Sequence, residues 1–135
     1  ARHSHLDSAG YSYDQKMFKA QETPTPEKIA EQLVKEESWR QILSSLVICF
    51  FARNIYKPEI VVKALKTMGY DFTVEDLNKL GREILKKKYE FKFREGFDPS
   101  KLRIPKRILE TPTPHGKLTE EEIRKAANLY FEKLK

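Results

Sequence analysis

The stretch that decides the fold reads Ser38-Trp-Arg-Gln-Ile-Leu-Ser-Ser-Leu-Val-Ile-Cys-Phe-Phe-Ala-Arg53. From Ile42 to Ala52 it is apolar except for two serines, and it carries the only cysteine of the chain, Cys49. Such a run is too short to span a bilayer and suits a helix at the centre of a globular domain. We therefore predict a buried helix here. On chemistry alone, Cys49 is then a small apolar side chain in the core.

Explicit boundary signals predict helices on both sides of the quoted stretch. Thr25 is suited to accept a hydrogen bond as N-cap, and Pro26 then takes the first helical position, so a long helix begins there and continues into the stretch. A second, shorter helix is bounded by Pro58 at its start and Gly69 just past its end. The apolar residues between them recur at helical spacing.

Two capping boxes predict the remaining helices. Thr73 and Asp76 open a third helix that keeps its apolar spacing to about Lys88. Thr119 and Glu122 open a terminal helix.

The other segments have weaker signals. Residues 89–94 alternate aromatic and charged side chains, which fits a short strand or the last turns of the third helix, and we favour the helix. Residues 1–22 show no sustained period and are predicted to be irregular, and the Pro-containing residues 96–118 are predicted to be an extended connector. The predicted fold is all-α with about four helices in a single domain, residues 1–135, which comprises the irregular lead-in, a helical core at 23–95, the connector and a terminal helix at 119–135.

The net charge of +6 is concentrated in one segment. Arg82–Arg107 contains ten basic and four acidic residues, and a basic segment of this kind attracts acidic partners, either acidic proteins or nucleic acid. Within it, Lys86–Arg94 mixes cations with aromatic residues, as single-stranded nucleic-acid sites do. A stand-alone helical module that binds nucleic acid is therefore the alternative function.

The sequence contains few candidates for catalytic or metal-binding residues. His3, His5 and Asp7 could form part of a metal site or an acid–base pair. There is no Gly-rich phosphate loop, nucleophile elbow or Cys-x-x-Cys, so we do not expect a self-sufficient enzyme. Cys49 would gain a role if other ligands came from outside the chain, since an iron–sulfur cluster is held by four thiolates. The single cysteine and the lack of an apolar spanning run predict a cytoplasmic protein away from membranes.

Three segments together resemble one family. Trp39–Cys49, Gly81–Phe97 and Ile104–Glu110 match, in order and spacing, the C-terminal region of the tungsten-containing aldehyde:ferredoxin oxidoreductases, and are most similar to the formaldehyde-oxidising branch. The resemblance covers nearly the whole chain. It implies that this chain is the helical C-terminal domain of a larger enzyme, with the N-terminal and middle domains as partners.

The resemblance also implies roles for individual residues. Cys49 would be the fourth ligand of a [4Fe-4S] cluster whose other three ligands lie in the middle domain. Ser44 stands where the family has a pterin-contacting Asp, and Val47-Ile48 replace the Gly-Leu of the family's Asp-x-x-Gly-Leu pattern. Either His3 or His5 would correspond to the family's His beside the tungsten.

For the complete enzyme the resemblance implies oxidation of a small aldehyde to a carboxylic acid at a tungsten–bispterin (molybdopterin-type) cofactor. Electrons would pass through the [4Fe-4S] cluster to ferredoxin. The chain alone is then expected to bind no cofactor and to be inactive, and its basic segment is expected to attract acidic ferredoxin.

Overall fold

The computed structural model describes residues 9–20, 24–112 and 116–134, and these form helices without any β-strand. The predicted all-α class is therefore confirmed. Six α-helices are present in the described part: α1 (Gly10–Ala20), α2 (Pro26–Ser45), α3 (Pro58–Thr67), α4 (Val74–Arg94), α5 (Lys106–Glu110) and α6 (Glu120–Glu132). Short 3₁₀ helices lie at Phe50–Ala52 and Pro99–Lys101. Among the described helices, none has the length and apolar character needed to cross a membrane.

The predicted helix starts are confirmed. The Thr25 side chain accepts a hydrogen bond from the Lys28 amide at the start of α2, and α3 begins at Pro58. Thr73 and Thr119 each form a complete capping box at the starts of α4 and α6. The helical interpretation of residues 89–94 is also confirmed, because α4 continues through them to Arg94.

Two segments have more regular structure than the sequence predicts. Gly10–Ala20 is a helix, so the predicted irregular lead-in is wrong for these residues, while residues 1–8 lie outside the described part. Tyr13 is buried in this helix, whose sequence shows no sustained apolar period that would have predicted it. The connector also contains a short helix, Lys106–Glu110.

The core consists of two clusters that share α2. The larger cluster joins α2, α4 and α6 through Ala30, Val34, Leu85, Tyr89, Tyr130, Phe131 and Leu134. The smaller cluster joins α2, α3 and α4 through Ile42, Val61 and Leu77. Helices α2 and α4 contribute to both clusters, and α2 also packs against α1 and α6, so α2 is the central helix, as the quoted stretch predicts for its first half.

Candidate functional site around Cys49

Helix α2 ends at Ser45, so the prediction of a buried helix continuing to Ala52 is wrong for its second half. The end is a Schellman motif: the Ile48 amide donates to the Leu43 carbonyl (2.9 Å) and the Val47 amide donates to the Ser44 carbonyl (3.1 Å). Val47 has a φ of 57°, in the left-handed region that this motif requires and that glycine ordinarily occupies. Because valine is not typical of this position, the sequence gives no signal that the helix ends here.

Cys49 follows this turn and is exposed, so its predicted burial is wrong as well. The preceding residue, Ile48, packs against the smaller core cluster and anchors the loop. After Cys49 the chain forms the 3₁₀ turn Phe50–Ala52, in which the Ala52 amide donates to the Cys49 carbonyl at 2.9 Å. The thiol therefore lies on an anchored loop at the surface of the domain.

Large apolar side chains surround Cys49 in the sequence and are exposed. Val47 is 91% exposed, Phe51 84% and Ile55 67%. Together with Leu46 and Tyr56 they form what we call the apolar loop surface. Several large exposed apolar side chains within one short loop are typical of a contact with another protein surface.

A cleft of about 290 Å³ adjoins the same loop. It lies between α1 and α2, and the loop contributes Arg53 and Asn54 to its wall. The complete lining is Ser12, Gln15, Lys16, Lys19, Glu36, Trp39, Arg40, Leu43, Arg53 and Asn54. Cys49 is not part of this lining.

Sequence analysis missed a buried polar cluster centred on Glu37. This carboxyl group is buried in α2 and accepts hydrogen bonds from the Ala9 amide (2.9 Å) and from the Tyr130 hydroxyl (2.5 Å). The Tyr130 and Tyr89 hydroxyl oxygens are 3.3 Å apart. The signal available in the sequence was spacing, because Glu37 follows Ala30 and Val34 on the core-facing side of α2.

Only two of the predicted site residues, Ser44 and Cys49, lie in the part of the chain that the structure describes. Ser44 and Cys49 lie at opposite ends of the turn that closes α2, and both are exposed. His3 and His5 lie outside the described residues. Within the part that the structure describes, no group of three or more His, Cys, Asp or Glu side chains could hold a metal ion. The sequence has one cysteine, whereas an iron–sulfur cluster requires four thiolates, so this chain by itself lacks the ligands for one.

The chain matches the family described as "Aldehyde ferredoxin oxidoreductase, domains 2 & 3" over residues 2–134. It therefore belongs to the aldehyde ferredoxin oxidoreductase family, and the predicted resemblance is confirmed at this level. The match covers nearly the whole sequence. Nothing in it supports the alternative of a nucleic-acid-binding module.

Curated relatives agree with this assignment. The tungsten-containing aldehyde ferredoxin oxidoreductase of Thermococcus kodakarensis is 33% identical over 97 residues, which are 67% of this chain and 16% of the relative. The proteins of the same name from Pyrococcus abyssi and Pyrococcus furiosus are 32% identical over 97 residues and 42% identical over 50 residues, covering 67% and 36% of this chain and 16% and 8% of those relatives. The chain thus spans about a sixth of the length of two of these relatives. No solved structure matches it.

Proposed function

We propose that this chain is the part of a tungsten-containing aldehyde ferredoxin oxidoreductase that supplies Cys49 as a thiolate ligand to a [4Fe-4S] cluster. The observation that carries the proposal is the left-handed backbone of Val47, two residues before an exposed thiol. The family pattern noted above has glycine at this position, and a left-handed C′ residue is where glycine is favoured. The backbone thus retains the turn that the family pattern implies although the side chain has changed.

The exposure of Cys49 suits this role. Three of the four ligands must come from another part of the complete enzyme, so the thiol must reach the surface of this domain. A thiolate is also the form that binds iron, and a reducing compartment keeps the thiol available, so we propose the cytoplasm as its location.

The apolar loop surface supports the same arrangement. In the complete enzyme we expect the remaining domains to cover Val47, Phe51 and Ile55, which would remove water from around the cluster ligand. A dry environment and a fixed ligand position are the means by which a protein adjusts the potential of such a cluster.

The tungsten–bispterin group, when bound in the complete enzyme, would supply the oxidation of a small aldehyde to a carboxylic acid. In this chain we assign the pterin contact to the Ser44 hydroxyl, which lies in the last turn of α2. A hydroxyl can donate or accept, whereas the Asp of the family pattern accepts only when ionised. We assign proton transfer to His3 or His5.

Ferredoxin is the electron acceptor that we propose. Lys87 is exposed and Lys86 half-exposed on α4, and both belong to the basic segment. Lys88 has a different role, because its ammonium group donates to the Gln41 side chain at 2.5 Å. We therefore expect Lys86, Lys87 and the basic residues of the connector, rather than Lys88, to attract an acidic partner.

The cluster assignment is tested in the complete oxidoreductase that contains this chain. Replacing Cys49 by Ala should leave the protein folded but give a cluster without its full iron content and with an altered electron paramagnetic resonance spectrum. The tungsten content should be retained, because Cys49 ligates iron only. Ser45→Ala, four residues before Cys49 at the end of α2, serves as the control and should leave iron and spectrum unchanged. An intact cluster in the Cys49→Ala protein would refute the proposal.

A further inference from the structure

Glu37 is a buried carboxyl group that connects three parts of the fold. It is 8% exposed. One carboxyl oxygen accepts from the amide of Ala9, immediately before α1, and the other accepts from the Tyr130 hydroxyl on α6. The residues joined in this way are 28 and 93 positions away from Glu37 in the sequence. Acidic side chains are seldom buried to this extent without a partner.

Burial of Glu37 disfavours its charged form, whereas the hydrogen-bond donors and the positive charge around it favour that form. On α4, the Tyr89 hydroxyl oxygen lies 3.3 Å from that of Tyr130, which donates to Glu37. The positive charge near Glu37 on α2 is that of Arg40. Its guanidinium donates hydrogen bonds to Glu36 and to Ser12, each at 2.9 Å. Burial raises the pKa of the Glu37 carboxyl above its ordinary value, and the Tyr130 and Ala9 hydrogen bonds and the Arg40 charge offset only part of this increase. Burial of the Tyr89 hydroxyl likewise raises the pKa of Tyr89 to about 12.

Several described polar contacts join helix α1 to α2. Besides the Ala9–Glu37 hydrogen bond, Ser12 accepts from Arg40 and the Lys16 ammonium pairs with Glu36 at 3.1 Å. Among the side chains of this helix that the structure describes, Tyr13 is buried. None of the described residues of α1 belongs to either core cluster, and an element outside the core opens at a lower free energy than the core helices do. Opening of α1 would expose Glu37 to water.

We propose that Glu37 is a buried proton-binding clamp on α1, which holds the helix docked when the carboxyl group is protonated and loosens it when the group ionises. The docked state disfavours the charged form, and the open state returns that form to water. A carboxyl group with a raised pKa contributes its stabilisation fully below its ordinary pKa. That stabilisation is lost as the pH rises through the pKa of the docked state.

This device is local and independent of the proposed function. Other carboxyl groups have lowered rather than raised pKa values. Hydrogen bonds from Thr73 and Thr119 lower the pKa values of Asp76 and Glu122 in the capping boxes of α4 and α6. Their stabilisation is lost as the pH falls, so the stability of the whole domain mixes both effects. The effect of Glu37 must therefore be measured as the opening of α1 itself, and not as the stability of the whole domain.

The test is amide hydrogen exchange of the 135-residue chain between pH 4.5 and pH 8, corrected for the intrinsic exchange rate at each pH. Protection of Gly10–Ala20 should fall as the pH rises, by up to about tenfold per unit between the ordinary pKa of Glu37 and its pKa in the docked state, and then level off. In Glu37→Gln, which keeps an acceptor for the Ala9 amide but does not ionise, α1 protection should be independent of pH.

Two further variants complete the test. Glu31→Gln removes an exposed carboxyl group from α2 and should keep the wild-type slope. Tyr130→Phe removes a hydrogen bond that lowers the pKa of Glu37, so the loss of protection should move to higher pH. The Tyr130→Phe shift remains decisive if Glu37→Gln fails to fold. A wild-type slope in Glu37→Gln, flat α1 protection in the wild type, or no upward shift in Tyr130→Phe would overturn the proposal.

Discussion

Val47 has a branched side chain on left-handed backbone, at a φ of 57°. This combination is rare because the Cβ atom and its two methyl groups crowd the neighbouring carbonyl groups. Its side chain is also 91% exposed, so no packing within the described domain compensates for the crowding. Strained residues of this kind concentrate at functional positions, and this one lies beside the candidate cluster ligand.

Replacing Val47 by Gly should raise the free energy of unfolding of the isolated chain by about 1 kcal/mol. The strain at such a position is about 1–3 kcal/mol, and the greater flexibility of glycine in the unfolded chain offsets about 0.5–1 kcal/mol. Urea denaturation followed by circular dichroism measures the change. Val47→Ala is the matched control, because it keeps the Cβ atom and should recover only a small part of the gain. A less stable Val47→Gly protein would contradict the strain argument.

The crossing of α2 and α4 depends on a close approach at Gly81. A methyl group added there would overlap the Ser38 carbonyl oxygen and lie 3.1 Å from the Ile42 side chain. This contact joins α2 and α4, the two helices that contribute to both core clusters. The absence of a side chain at Gly81 therefore sets how closely α2 and α4 pack.

Replacing Gly81 by Ala should lower the free energy of unfolding by about 1–3 kcal/mol, because the two helices must separate to admit the methyl group. Thermal or urea denaturation measures this loss. Gly10→Ala is the control: its added Cβ atom meets no neighbour within 4 Å, so that variant should be neutral or slightly more stable. Equal effects of the two substitutions would show that helix propensity, and not packing, decides.

On the scale of the whole molecule, the basic aromatic segment of α4 is divided between core and surface. Tyr89 is buried, and Phe93 packs against the larger core cluster, so these rings are not available to stack on nucleic-acid bases. Phe91 is the exposed ring, and the Arg94 guanidinium lies 5.1 Å from its centre. The positive charge of Lys86 and Lys87 remains on the surface. This distribution fits attraction of an acidic protein better than base stacking.

Reversing Lys86 and Lys87 to Glu in the complete enzyme should lower kcat/KM for ferredoxin several-fold at low ionic strength. The difference should shrink at high salt, because attraction between separated surface charges is screened. Steady-state kinetics at two salt concentrations measures it. The double reversal of Lys28 and Lys35 on α2 makes the same change in net charge and should have a smaller effect if location matters. Equal effects of the two reversals would mean that net charge alone acts.

The sequence by itself determined the all-α class and the starts of α2, α4 and α6. Each of those starts depends on a hydrogen bond between residues three positions apart, such as Thr73 with Asp76, and so it is visible in a short window of sequence. The resemblance also indicated Cys49 as the candidate ligand, and its pattern placed glycine where the structure has left-handed Val47.

Only the tertiary structure decided that α1 is a helix, that α2 ends before Cys49, and that Glu37 is buried. Valine carries no local signal for a left-handed turn, so the end of α2 followed from backbone hydrogen bonds that the sequence does not reveal. The environment of Glu37 depends on groups 28 and 93 residues away. Contacts over such separations arise from the packing of whole helices, and the free energies that select them are properties of the assembled core.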